Sequence, residues 1–330
     1  MTSLLEKINI LYPFSQPVRI IKKVRKGYLT TKFIIGNDKK KYFLKGYRDP
    51  VLRVKNTHKA KEFFSNNGIP VILPIQNKNE KTFFVHNGEV YSVFPYIEGE
   101  QFEKFKVPEI ALREAGKMLA KLHLLSKDRM PIGIRKRKFI VDKEKSISRV
   151  KKIIDLIDKK KSKTTFDKAS LARLKLKLDL IQNNRIKVAT RKLGKRHIIH
   201  ADYHEANIFF KNNKIIYVFD WEMVSCAPRV MEIARSVDFF CFNGNFKPKN
   251  FSMAKTYLSA YNNIYPINKE ELFYGLHAWC YNRLHSVWSS EEYYLKNKKL
   301  SAGFIKREIR TIEYYYRNLE EFIGKIVENY

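Results

Sequence analysis

His200-Ala201-Asp202-Tyr203-His204-Glu205-Ala206-Asn207, followed after two apolar runs by Phe219-Asp220-Trp221-Glu222, is the stretch on which the reading of this chain turns. Ile198-Ile199 leads into it. Phe209-Phe210 and residues 215–219 are joined by the polar Lys211-Asn212-Asn213-Lys214. Apolar runs around a short polar turn predict a β-hairpin. Such a hairpin brings Asp202, Asn207 and Asp220 to one edge. Phosphoryl transfer from ATP uses a set of this kind. One carboxylate orients the acceptor hydroxyl and takes its proton, while an amide oxygen and a second carboxylate hold Mg²⁺ against the phosphates. The alternative is a buried polar turn in an unrelated fold, but four fixed positions between two apolar runs seldom arise by chance.

Working outward, residues 18–24, 28–35 and Tyr42-Phe43-Leu44-Lys45-Gly46-Tyr47 read as three antiparallel strands, with turns at Lys26-Gly27-Tyr28 and Gly36-Asn37-Asp38. Residues 52–67 suit a helix closed by Asn66-Asn67-Gly68 and Pro70. Residues 71–75, 82–86 and 90–94 read as further strands, giving residues 1–97 a five-stranded lobe with one helix. Past Val107 the pattern is helical, with Leu112, Ala115, Leu119, Leu122 and His123 on related faces after Pro108-Glu109. Residues 126–196 are basic and mostly helical, and residues 228–325 are helical again with recurring aromatics, Trp279, Tyr281 and Trp288 among them. The expected fold is α+β in two lobes: a small antiparallel sheet with one helix over residues 1–97, and a larger, mostly helical lobe over residues 98–330. The cleft between them is the default site.

The quoted residues resemble the aminoglycoside phosphotransferase and choline kinase superfamily, whose members share the protein-kinase-like fold. The family pattern His-x-Asp-x-x-x-x-Asn, then hydrophobics and Asp, is met by His200, Asp202, Asn207 and Asp220. The extended form looks most like the bacterial branch of type II homoserine kinases and CotS-like kinases. The resemblance implies Asp202 as catalytic base, His200 as support of its loop, and Asn207 and Asp220 as Mg²⁺ ligands. It implies Lys45 on the third strand as the lysine at the ATP phosphates, Gly27 as a glycine close to them, and Phe94, Tyr96 and Ile97 as the hinge at adenine. The family's small-lobe helix usually carries a Glu for that lysine. Its place here is Thr57, so either Glu62 pairs with Lys45 or the pairing is lost. Glu222 is placed to meet a cationic or hydroxyl group of the acceptor, or to form a salt bridge within its lobe. Trp279 and Arg283 are acceptor-side candidates, although an aromatic stripe at helical spacing more often packs a core. Glu232, before Ile233-Ala234, reads as structural, and so does the helix through Gly116 and His123.

Composition sets the outer bounds. The apolar fraction of 44% suits a globular chain of 330 residues. No run is long and apolar enough for a membrane span, and Met1-Thr2-Ser3 opens no signal peptide. Three cysteines without a Cys-x-x-Cys pair argue against a disulfide framework or a zinc site and suit a reducing cytoplasm. The expected partner is a small hydroxylated substrate, and the chain is expected to be a monomer or homodimer. A binding or structural protein on a kinase scaffold, and a kinase associated with RNA or protein, are the competing readings. The first is opposed by the complete Asp202, Asn207 and Asp220 set. The second rests on the basic segment 135–196.

A net charge of +32 suits a neutral, zwitterionic or anionic acceptor better than a polycation, and it predicts non-specific polyanion binding. A gel shift with arbitrary-sequence RNA is expected at about 50 mM salt and lost by about 200 mM. A shift that survives the higher salt would mark a specific nucleic-acid site instead.

Overall fold

The computed structural model describes residues 3–24, 31–104, 106–127, 129, 133–184, 186–328 and 330. The chain begins with helix α1 (Leu4–Leu11), then strands β1 (Arg19–Lys23), β2 (Lys32–Gly36) and β3 (Lys41–Tyr47), helix α2 (Val51–Asn66), and strands β4 (Phe84–His86) and β5 (Glu89–Pro95). The five strands form one antiparallel sheet ordered β1-β2-β3-β5-β4. The Asn37 side chain closes the β2–β3 turn by accepting from the Lys40 N–H at 2.9 Å. Alternation along β3 sends Leu44 into a core with Ile8, Tyr12, Ile35 and Val93, and Phe43 and Tyr47 into a second one with Val54 and Phe94. Lys45 shares the second face and is 7% exposed.

Two elements differ from the sequence reading. Helix α1 was not expected, yet Ser3 and Glu6 form a reciprocal capping box. Residues 71–75 are not a sheet strand. Val71 bridges Val218 in parallel, and the Val218 N–H donates to the Pro70 carbonyl at 2.8 Å. Pro70 precedes this run and Pro74 lies within it, and neither has an N–H to give a ladder.

The rest is mostly helical: α3 (Glu109–Leu125), α4 (Lys143–Asp158), α5 (Thr165–Gln182), strands β6 (Arg196–Ile199), β7 (Ile208–Lys211), β8 (Lys214–Val218) and β9 (Ser225–Pro228), α6 (Arg229–Val237), α7 (Pro248–Asn262), α8 (Lys269–His285) and a C-terminal helix, Ala302–Glu328. β7 and β8 are the expected hairpin, turned by Asn212 and Asn213, both left-handed at φ 51° and 61°. β6 pairs with β9, and residues 135–137 lie beside β9 through the Lys136–Cys226 bridge. Trp221 is fully buried, its Nε1–H on the Val218 carbonyl at 3.0 Å. Its ring lies 5.0 Å from that of Phe64 and 4.7 Å from that of His200, so one indole joins α2 to the motif. Cys226, Cys241 and Cys280 are free and buried. Among the described residues no helix is long and apolar enough to cross a membrane.

Helices α3 and α7 touch at Gly116, where an added Cβ would stand 2.4 Å from the Tyr257 carbonyl oxygen. Backbone cannot step aside there, so Gly116→Ala is expected to cost about 1–3 kcal/mol in chemical denaturation. Gly303, exposed in the C-terminal helix with nothing near its missing Cβ, is the contrasting site. Gly303→Ala is expected to add about 0.4–1 kcal/mol by the same measurement.

Candidate active site

The motif loop leaves β6 at Ile199 and reverses at once, with Ala201 in the left-handed region at φ 64°. A non-glycine residue holds that conformation only under constraint. The constraint is Glu232, one turn into α6 and 1% exposed. Its Oε2 accepts from the His200 N–H at 3.0 Å and lies 3.0 Å from His123 Nε2, and its Oε1 accepts from the Ala201 N–H. Burial pushes the Glu232 carboxyl up, and His200 with the two backbone N–H groups only partly offsets it. His123 is fully buried, and burial drives its pKa well down, so the ring is neutral.

His200 is a strut between the two halves of the motif. Its Nε2 lies 2.9 Å from the Phe219 carbonyl, and its Nδ1 accepts from the Asp202 N–H at 3.2 Å. These partners assign the proton to Nε2. Burial lowers the His200 pKa, in keeping with that neutral tautomer. Asn207 Nδ2 donates to the Asp202 backbone carbonyl at 2.8 Å and to Asp202 Oδ2 at 3.0 Å, which leaves its own carbonyl oxygen for a ligand. Asp202 is itself ion-paired with Arg235. Burial works to raise the Asp202 carboxyl, but Arg235 and His204 outweigh it and hold it below the usual carboxylate range.

Across the cleft, Lys45 Nζ lies 3.0 Å from Asp220 Oδ1 and 2.6 Å from Glu222 Oε1. Burial opposes the charge on Lys45, and the two carboxylates overcome it, so its pKa is raised. Burial also works to raise Asp220, but Lys45 wins and keeps it ionised. Glu222 is pushed up by burial and by Asp220 beside it, against the pull of Lys45. Asp220 is a second left-handed non-glycine residue, at φ 65°. Glu222 thus faces Lys45 rather than the acceptor. Glu62 is exposed and Thr57 buried, so the expected Glu62–Lys45 pair is not made. The acid beside Lys45 comes from Glu222, and α2 contributes Lys61, 4% exposed with its Nζ 4.2 Å from the Phe94 ring centroid.

Of the hinge residues, Phe94 is buried in β5 while Tyr96 and Ile97 are half-buried just past its end. Gly27 lies outside the described residues. Trp279 Nε1–H donates to Asp238 Oδ2 at 3.0 Å, and Arg283 Nε lies 3.5 Å from the same oxygen, which ties both to a buried acid behind the site. Sequence reasoning missed Arg235 and Lys61. Helical spacing would have found both: Arg235 follows Glu232 by one turn on α6, and Lys61 shares the buried face of α2 with Val54, Thr57 and Phe64.

The oxygens fit a magnesium–nucleotide complex. Asn207 offers a free amide oxygen, Asp220 a carboxylate, and Glu222 Oε2 is buried with no hydrogen-bond partner. Mg²⁺ is usually held by one or two carboxylates plus substrate phosphates rather than by an all-protein cage. Among the described residues no group of three or more acidic, His or Cys side chains forms such a cage.

In this two-lobed α+β fold a lysine, an acid–amide pair and a second acid are brought together as a candidate site. The model of the phosphotransferase enzyme family matches residues 20–265, and the chain belongs to that family. No curated protein sequence matches it significantly. Similar solved structures include spectinomycin phosphotransferase in complex with ADP and spectinomycin, at 17% identity and TM-score 0.68, with 95% of this chain and 97% of that one covered. A microcompartment-associated aminopropanol kinase follows at 11% identity and TM-score 0.64, covering 96% and 97%. Choline kinase from Cryptosporidium parvum Iowa II aligns at 14% identity and TM-score 0.59, covering 97% and 96%.

Glu62→Gln is expected to leave nucleotide affinity and thermal stability where they are in the wild type. Glu232→Ala, which strands buried donors from the loop and α3, is expected to cost about 2–4 kcal/mol by urea denaturation. A larger effect at Glu62 than at Glu232 would contradict this assignment of the pairs.

Proposed function

We propose that the chain moves the γ-phosphoryl group of ATP, as its Mg²⁺ complex, to a hydroxyl of a small metabolite such as an amino acid, amino alcohol or sugar. In this reading residues 1–97 hold the nucleotide, residues 98–330 hold the acceptor, and the protein works in the cytoplasm. The observation that carries it is the meeting of Lys45 with Asp220 and Glu222 across 175 residues of sequence, beside the Asp202–Asn207 pair.

Bound MgATP supplies the transferable group and neutralises charge on the phosphates; the protein's side chains do the rest. Lys45 leaves its carboxylates for the phosphate oxygens. Asp220 and the Asn207 carbonyl are the groups to hold the metal. Phe94, Tyr96 and Ile97 border the adenine. Asp202, kept ionised, accepts a hydrogen bond from the acceptor hydroxyl. The hydroxyl oxygen bonds to the γ-phosphorus as the bond to the β–γ bridging oxygen breaks, ADP leaves, and the hydroxyl proton passes to Asp202. Positioning and charge stabilisation supply most of the rate in reactions of this kind. His200, neutral and bonded at both nitrogens, keeps Asp202 in register with Asp220 and carries no proton in the reaction.

Asp202→Asn and Asp202→Ala are expected to lower kcat by about 10²–10⁴-fold in an ADP-release assay, with MgATP affinity within about twofold of wild type. Lost nucleotide binding in these variants would argue against Asp202 as the base.

A further inference from the structure

The surroundings of Asp202 are cationic. Arg235 reaches it from α6, and the same guanidinium lies 5.1 Å from the Phe239 ring and 6.0 Å from that of Trp279. Arg283 stands 5.9 Å from the Trp279 ring. Arg137 comes from the segment that precedes α4. Its segment is laid against β9 by the Arg137 N–H on the Cys226 carbonyl at 3.1 Å and the Cys226 N–H on the Arg135 carbonyl at 2.8 Å. β9 in turn pairs with β6, the strand that feeds the catalytic loop. Arg137 is partly buried, and its charge is felt together with those of Arg235, Arg135, Asp202 and Glu232.

Two of these cations lack a full set of partners. Arg137 has no carboxylate within ion-pair distance among the described residues, and the buried Arg235 Nε has no hydrogen-bond partner. The acids nearby are occupied or out of reach. Asp238 takes Trp279 Nε1–H and the Tyr315 hydroxyl at 2.9 Å. Glu232 holds the loop, and Glu205, whose two carboxylate oxygens have no hydrogen-bond partner, is 1% exposed. A cationic acceptor held at Arg235 would have to compete with the hydroxyl for Asp202. An anion would satisfy Arg137 and the open edge of Arg235, and by drawing Arg235 toward itself it would release Asp202 to the hydroxyl. Paired, hydrogen-bonded charges are the arrangement in which half-buried arginines are stable.

We infer that the acceptor carries an anionic group, a carboxylate or a phosphate monoester, next to the hydroxyl that is phosphorylated, and that Arg137 and Arg235 are the residues that select it. This rests on the kinase reading above and narrows its acceptor.

The test uses the full chain at about 0.15 M salt, where surface attraction is screened beyond about 8 Å. Four matched probes are titrated by calorimetry, with and without a non-hydrolysable ATP analogue and Mg²⁺: glycerate, glycerol 3-phosphate, glycerol and 3-amino-1,2-propanediol. Glycerate or glycerol 3-phosphate is expected to bind, and the tighter of the two separates carboxylate from phosphate. Arg137→Leu is expected to weaken that binding about ten- to a hundredfold, and Arg137→Lys to restore part of it. Removing one of 65 basic residues leaves diffuse polyanion attraction nearly intact, so the loss reports this site. Circular dichroism checks the fold, with Arg137→Gln as the substitute should the leucine variant not fold. The inference is overturned by tighter binding of the amine, by equal binding of glycerol and glycerate, by unchanged affinity in Arg137→Leu, or by no binding of either anion. Failure of the ATP analogue to bind would sink the kinase reading instead, and the nucleotide-free titration would still decide the charge of the acceptor site.

Discussion

The catalytic loop hangs from one buried carboxylate. Glu232 takes the His200 and Ala201 N–H groups and meets His123 from α3, and these donors are what make a carboxylate at 1% exposure tolerable. Everything downstream inherits this anchor. Ala201 stays left-handed because both flanking amides are claimed, and that reversal aims Asp202 at the cleft. His200, fixed by its amide, spends both ring nitrogens on tying Asp202 to the strand end before Asp220. The same helix then delivers Arg235 to Asp202 one turn later. A single side chain therefore fixes the loop, while Phe219 and Asp202 set the imidazole tautomer and α6 supplies the partner of the candidate base.

The second organising element is the charged group formed by Lys45, Asp220, Glu222 and Lys61. Burial opposes the charge on each of them. Neighbours outweigh it at Lys45 and Asp220, whereas burial prevails at Lys61, whose pKa falls, and at Glu222, whose pKa rises. The usual division of labour, with the small-lobe helix supplying the acid for the strand lysine, is rearranged. Here α2 brings a lysine and the large lobe brings the glutamate, so one acid that meets Lys45, Glu222, sits two residues from the other, Asp220.

Much of this was legible in the sequence, and the reasons are physical. The hairpin announced itself because apolar runs on both sides of Lys211-Asn212-Asn213-Lys214 leave the chain one way to bury them. Lys45 stood out only through the resemblance, which implies a lysine on the third strand, and Gly116 lay on a helix whose period was plain. What stayed hidden depended on which way a side chain turns once the lobes meet. Glu222 reads equally well as an acceptor contact or an ion-pair member until Lys45 is seen opposite it. Glu62 is the only acid on α2, but helical phase points it at solvent. Residues 71–75 have strand composition, yet Pro70 before them and Pro74 within them keep them from a ladder. Helix α1 is too short for periodicity to show, and only its Ser3–Glu6 cap gave it away.

The β7–β8 hairpin is gripped at two places by the chain segments that connect sheet to helices. Glu100, just past the hinge, exchanges backbone hydrogen bonds of 2.9 and 2.8 Å with Phe210, and Pro70, just past α2, accepts from Val218 at 2.8 Å. The crossing between lobes at Glu100 and the small-lobe segment that follows α2 thus fasten to the same small ribbon, the one whose ends carry Asn207 and Asp220. In mechanical terms the ribbon is a shared anchor: strain entering through either segment reaches the backbone beside Asn207 and Asp220 by way of hydrogen bonds of 2.8 and 2.9 Å.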